Sequence, residues 1–228
     1  MSTPPAAHAS PWQAGLRSAR ANIAPGLVLQ AGALALVLAY YQHGPTREFV
    51  GRIAAARHEI GVGFSILSTG FFGGLLPFAF LRAQRSTRSR YTWAQGAVIT
   101  AFWAYKGLEI DLWYRLLARV WGEGNDLGTI AAKTFSDQFV YCPLVAVPVA
   151  ALIYEWTETQ FNTREIAGEL RAGGWYRRKV LPLLISNLGV WLPAVCIIYA
   201  LPTPLQLPLQ NLVLCFFTLI LAHQVKRP

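Results

Sequence analysis

A run of 46 residues, 180–225, contains no Asp, Glu, Lys or Arg, although charged residues make up 14% of the chain. A helix of about 20 apolar residues is long enough to cross a hydrocarbon layer about 30 Å thick. The run therefore has room for two crossings, and Pro202, Pro204 and Pro208 lie near its middle. Because proline interrupts helices, the sequence predicts two membrane-spanning helices joined by a short proline turn.

Four shorter windows of the chain also lack charge. They are residues 24–42, 61–81, 92–105 and 139–154. Together with the two segments above, they bring the number of hydrophobic segments to about six. Hydrophobic residues make up 54% of the chain, which leaves too few charges to cover the surface of a soluble protein of this size.

The sequence therefore predicts an all-α fold, an integral membrane helical bundle. We expect residues 1–23 to form a polar, mildly basic N-terminal segment and residues 24–228 to form a single membrane domain, because no internal repeat or low-complexity linker divides the chain. A soluble all-helical protein with an unusually apolar core is the alternative.

The basic residues alternate between the two sides that six crossings would define. Thirteen fall on one side: Arg17, Arg20, Arg82, Arg85, Arg88, Arg90, Arg164, Arg171, Arg177, Arg178, Lys179, Lys226 and Arg227. Six fall on the other: Arg47, Arg52, Arg57, Arg115, Arg119 and Lys133. The positive-inside rule then places both termini in the cytoplasm or in the matrix of an organelle.

The net charge of +9 does not indicate a nucleic-acid partner, because no base-reading motif accompanies it. The bilayer is the expected partner. The basic run from Trp175 to Lys179 would suit anionic lipid headgroups, but a plain topology anchor is the favoured interpretation. Upstream of this run, Asn162 and Glu165 have the spacing of a capping box, which predicts a short surface helix.

Lys106 is the strongest candidate for a functional side chain. It lies 13 residues after Trp93, about 20 Å along a helix, and hence well inside the membrane. A charge there needs a partner, and Glu109 at i+3 is the obvious one. Asp111 and Arg115 form a second pair at i+4, which we expect near the far interface.

Two interpretations of these charges stay open. In the first they line a path for solutes, where the low dielectric constant makes them sensitive to ions. In the second, Lys106 extends towards the headgroups and the acids meet water, so the charges only stabilise the topology.

Two further polar or small-residue groups are noteworthy. Lys133, Asp137 and Gln138 open the next segment shortly before Pro143, although the helix dipole alone could account for Asp137. Gly70 and Gly74 have the spacing of a helix-packing face.

The sequence does not predict an enzyme, a metal site or a cofactor. It contains no HExxH, GxSxG or glycine-rich phosphate loop, and its four histidines are isolated from one another. Glu109 and Asp111 lie on different helix faces, which disfavours a pair of catalytic carboxylates.

Three blocks of residues occur in an order that is similar to a known family. The first contains Gly107, Glu109, Asp111, Trp113, Tyr114 and Leu117; the second Lys133, Asp137, Gln138 and Pro143; the third Asn187, Trp191, Pro193, Leu201 and Pro202. In this respect residues 61–225 resemble the Mpv-seventeen and peroxisomal-membrane-protein-twenty-two family of small integral membrane proteins.

The resemblance has departures. The family usually has a histidine where Asp111 stands, and Leu192 separates Trp191 from Pro193. Residues 24–42 lie ahead of the family-like core.

The resemblance implies a multi-pass protein of the mitochondrial inner or the peroxisomal membrane, and a channel or pathway for small solutes or ions. The alternative function is a non-conducting scaffold or lipid-interacting protein in membrane or organelle homeostasis. A bacterial cytoplasmic membrane and a homo-oligomer are compatible with the same sequence.

Overall fold

The computed structural model describes residues 10–224, and within that range the chain forms nine helices and no strand. The helices are α1 (Pro11–Ala21), α2 (Ile23–Gln42), α3 (Gly44–Ile60), α4 (Val62–Ala83), α5 (Trp93–Trp121), α6 (Leu127–Glu158), α7 (Thr163–Arg171), α8 (Tyr176–Tyr199) and α9 (Thr203–Gln224). The first nine residues of the predicted N-terminal segment, and Lys226 and Arg227 of the predicted charge pattern, lie outside the described residues.

Side-chain caps define where several helices begin. Thr92 and Gln95 form a capping box at the start of α5, and Asp126 caps α6 by accepting the Thr129 N–H at 3.0 Å. The Thr129 hydroxyl also donates to Asp126, which lowers the pKa of that carboxyl. Asn162 accepts the Glu165 N–H at 3.3 Å, which confirms the short surface helix α7.

Three of the long helices contain a π-helical stretch, and each stretch has a proline inside it or shortly after it. The stretches are 70–75 in α4, 136–146 in α6 and 176–180 in α8, and the prolines are Pro77, Pro143 and Pro182. Proline has no N–H to donate to the carbonyl four residues earlier. The helix can therefore form hydrogen bonds between residues five apart near these positions, as in a π-helix.

Helix α9 lies at the centre of the bundle and contacts α2, α3, α4, α5 and α8. Side-chain contacts show that α2 and α8 run parallel, because Gly26 lies near Val190 and Tyr41 bonds to Ala200. Helices α4 and α5 run antiparallel, as do α5 and α6. Contacts of α6 with α8 and of α4 with α9 extend the pattern, so the direction alternates through six helices: α2, α4, α5, α6, α8 and α9.

Four helices among the described residues are long and apolar enough to cross a membrane: α2, α4, α6 and α8. The described chain is therefore all-helical, and four of its helices have the length and composition of membrane spans. The other two of the six predicted spans do not meet these criteria. Helix α5 carries Lys106, Glu109, Asp111, Arg115 and Arg119, and α9 is not among the four.

Two helices extend beyond the apolar windows that marked them. Windows 92–105 and 139–154 cover only parts of α5 and α6, because both helices continue through polar residues, several of which are buried against neighbours. The predicted proline turn is short, since α9 begins at Thr203, and Pro208 lies inside that helix.

Candidate functional site: a polar-ended cavity between four helices

A cavity of about 690 Å³ lies between α5, α6, α8 and α9. Glu155, Glu158, Arg178 and Lys179 surround its mouth at one end of the bundle. Lys106, Asp137 and Gln138 lie at its inner end, and most of the wall between is apolar or aromatic. The volume falls in the range of small-molecule sites, about 300 to 1,000 Å³.

The ion pair between Lys106 and Glu109 lies beside the inner end. Lys106 is 4% exposed. Its ammonium donates to the Glu109 carboxylate and to the Tyr141 hydroxyl, the latter at 2.9 Å, while that hydroxyl donates to Glu109. The side chain is thus held inside the bundle rather than extended towards headgroups.

Asp137 occupies the inner end with neutral donors around it. Its two carboxylate oxygens accept the Trp113 indole N–H at 2.9 Å and the Gln138 amide N–H at 2.8 Å. The same Gln138 amide nitrogen lies 3.6 Å from the Cys142 sulfur, and Asn187 lies 3.9 Å from that sulfur. Asp137, Gln138 and Cys142 all lie in the π-helical stretch of α6, while Asn187 reaches this end from α8.

Beyond the inner end, packed side chains close the bundle. Tyr114 and Tyr199 meet edge to face with their centroids 5.4 Å apart, and Leu117 and Ile198 pack in the same core cluster. These packed side chains close the bundle beyond the inner end of the cavity.

A second charged cluster lies past this barrier. Asp111 is fully buried and pairs with Arg57 of α3 and with Arg115, whose Nε lies 2.7 Å from it. Arg57 also donates to the carbonyls of Thr203 at 2.9 Å and Pro204 at 2.6 Å. The interpretation in which Asp111 meets water was wrong, because Arg57 and the start of α9 cover its carboxylate.

Two basic residues that the sequence placed on an aqueous side are instead buried. Arg57 is 5% exposed and Lys133 is 1% exposed. No described residue forms an ion pair or hydrogen bond with the Lys133 ammonium group. The pattern of charges along the sequence did not reveal that these two side chains are buried. A buried Asp111 needs a cationic partner, but the sequence does not show which distant residue supplies it.

The structure distributes the residues of the family-like blocks over several locations. Trp113, Asp137, Gln138, Asn187 and Trp191 line the cavity. Gly107 packs against Ser65 of α4, Tyr114 lies in the barrier and the cavity wall, Pro143 interrupts α6, Pro193 lies in α8 and Pro202 in the following turn.

Gly70 and Gly74 lie on the face of α4 that meets α5. A Cβ atom at Gly74 would come within 2.6 Å of the Thr100 Cα atom, and one at Gly70 within 3.1 Å of the Ala104 Cβ atom.

No three His, Cys, Asp or Glu residues in the described part of the chain could together hold a metal ion. Comparison of the chain with family models, curated proteins and solved structures found no match.

Proposed function

We propose that the chain is a multi-pass integral membrane protein that provides a path for small solutes or ions. The observation that carries this proposal is the cavity, which runs from one end of the bundle to buried charged and amide side chains. Ionisable groups inside a membrane are costly and are concentrated along ion and substrate pathways.

The proposed topology has six crossings, made by α2, α4, α5, α6, α8 and α9. The alternating directions of these helices support it. The charges of α5 are compatible with a crossing because Lys106 and Asp111 both face protein and are paired. The Mpv-seventeen-like order of residues supports the same class of protein.

The conducting state requires the barrier of Tyr114, Leu117 and Tyr199 to part. The described state is then a closed one, in which solute reaches Lys106 and Asp137 from the mouth and goes no further. Access from one side at a time is a familiar arrangement in membrane pathways.

The test is solute and ion flux through purified protein in liposomes and planar bilayers. Ala150 lines the cavity, so Ala150→Trp should block flux, whereas Ala131→Trp, on the exposed face of the same helix, should leave it unchanged. Lys106→Met and Glu109→Gln should shift ion selectivity. Folded wild-type protein that passes neither ions nor solutes over a range of voltage and pH would contradict the proposal.

A lipid-interacting scaffold is the second candidate, and the cavity wall favours it. The wall is mainly apolar and aromatic, and Arg178 and Lys179 stand at its mouth, so an acyl chain with an anionic headgroup would also fit. Native mass spectrometry that finds a phospholipid retained by wild type and lost in Ala150→Trp, without flux, would support this function instead.

A further inference from the structure

We infer that the inner end of the cavity binds a small organic ammonium ion, with Asp137 as its counter-charge and aromatic side chains around its carbon skeleton. This inference names the solute class of the path proposed above and rests on that proposal.

The first step is the balance of charge at the inner end. The Lys106 ammonium is neutralised by Glu109 and hydrogen-bonded to Tyr141. Asp137 is 5% exposed and forms no ion pair with any described residue. Lys106, Glu109 and Asp137 together carry a formal charge of −1. A buried carboxylate without a cationic partner of its own favours a cationic ligand.

The second step is the balance of donors and acceptors. Gln138 is 2% exposed and must direct its NH₂ group towards Asp137, because a carboxylate only accepts. Its carbonyl oxygen then has no donor among the described residues, and the same is true of the Gln210 carbonyl oxygen. A buried acceptor without a donor is costly, and the N–H groups of an ammonium ligand could donate to these two carbonyl oxygens.

The third step concerns the wall. Trp113 stacks on Tyr141 with ring centroids 4.7 Å apart, and the Trp113 N–H binds Asp137. Further aromatic residues line the cavity: Phe102, Trp103, Tyr114, Tyr154, Trp191 and Phe217. Aromatic faces attract organic cations, and a carboxylate beside aromatic rings combines both forms of recognition.

The charges at the mouth of the cavity do not exclude a cation. Lys179 pairs with Glu155 at 2.7 Å, and Arg178 donates to the Gly173 carbonyl at 2.7 Å. Glu158 lines the same opening. Acidic and basic groups are therefore balanced where a solute would enter.

The experiment uses three probes of one shape and different charge: phenethylammonium, 2-phenylethanol and phenylacetate. Their binding to the full-length protein in lipid nanodiscs is measured by calorimetry at neutral pH. Wild type should bind phenethylammonium at least tenfold more tightly than the neutral or anionic probe. Asp137→Asn should lower that affinity at least tenfold, and Asp126→Asn, which removes an exposed carboxylate outside the cavity, should not change it.

Equal affinity of wild type for the three probes, or an Asp137→Asn variant that binds phenethylammonium as wild type does, would overturn the inference. If Asp137→Asn does not fold, the comparison of the three probes on wild type still decides. Equilibrium binding also separates the two proposals. Ammonium binding without flux would contradict the proposed path but support the ammonium site. Flux of neutral solutes without ammonium binding would support the path but contradict the ammonium site.

Discussion

Arg57 and Asp111 show how one ion pair can satisfy several demands of a buried backbone. Pro208 has no N–H, so the Pro204 carbonyl four residues earlier lacks its usual helical donor. Arg57 donates to that carbonyl at 2.6 Å while it pairs with Asp111. The side chain thereby ties α3 to α5 and to the start of α9.

Asp111→Asn should destabilise the protein, because it leaves the Arg57 charge buried without its carboxylate. We expect a loss of about 3 kcal/mol, the usual cost of removing one partner from a buried pair. Thermal melting in detergent measures it. Glu123→Gln, which alters an exposed acid, is the control.

The double variant Arg57→Met/Asp111→Leu sharpens this test. Replacing both members of a buried pair by apolar side chains is often close to neutral. The double variant should therefore melt at a higher temperature than Asp111→Asn. The opposite order is expected only if the hydrogen bonds from Arg57 to the Thr203 and Pro204 carbonyls contribute more to stability than its ion pair with Asp111. A double variant that melts below Asp111→Asn would show that the backbone contacts of Arg57 contribute more than the ion pair does.

Helices α4 and α5 approach each other closely because small residues face each other along the contact. A Cβ atom at Gly107 would lie 2.1 Å from the Ser65 carbonyl oxygen, closer than any real contact. Lys106 directly precedes Gly107 and Glu109 follows two residues later, so the close contact lies beside their ion pair. Small residues are the usual means of such packing in membranes.

Gly107→Ala should separate α4 from α5 and destabilise the protein by about 1 to 3 kcal/mol, the range for an overpacked contact. Gly32→Ala is the matched control, because a Cβ atom there meets open space on α2 and alanine favours a helix. Melting curves should show a lower Tm for the first variant and an unchanged or higher Tm for the second. Similar values for both would contradict the close contact.

Across the whole molecule, the alternating helices place connecting segments at two ends. Ser86 and Arg171 lie towards the mouth of the cavity, while Glu123 and Pro202 lie at the opposite end. Since basic residues are most numerous at the mouth end, we expect that end to face the cytoplasm or matrix.

Single cysteines test this topology. In a chain whose three cysteines are replaced, an impermeant maleimide applied from outside should label cysteines at positions 123 and 202, and label those at 86 and 171 only after the membrane is opened. Total labelling in detergent is the control. Reaction of positions 86 and 171 from opposite sides would rule out six crossings.

Much of this architecture follows from local sequence. The 46-residue uncharged run and the four shorter windows located six long helices, and the capping residue Asn162 located α7, because hydrophobicity and capping act over a few residues. The spacing of Lys106 and Glu109 likewise indicated the ion pair that the structure contains.

Contacts between distant residues could not be derived in this way. Arg57 meets Asp111 across 54 positions, Asp137 meets Trp113 across 24, and the cavity forms where four helices fail to fill the space between them. Hydropathy records how strongly a residue prefers water, but not which neighbour removes it from water. Sequence thus determined where the long apolar helices lie, while packing decided which charges are buried and where the cavity lies.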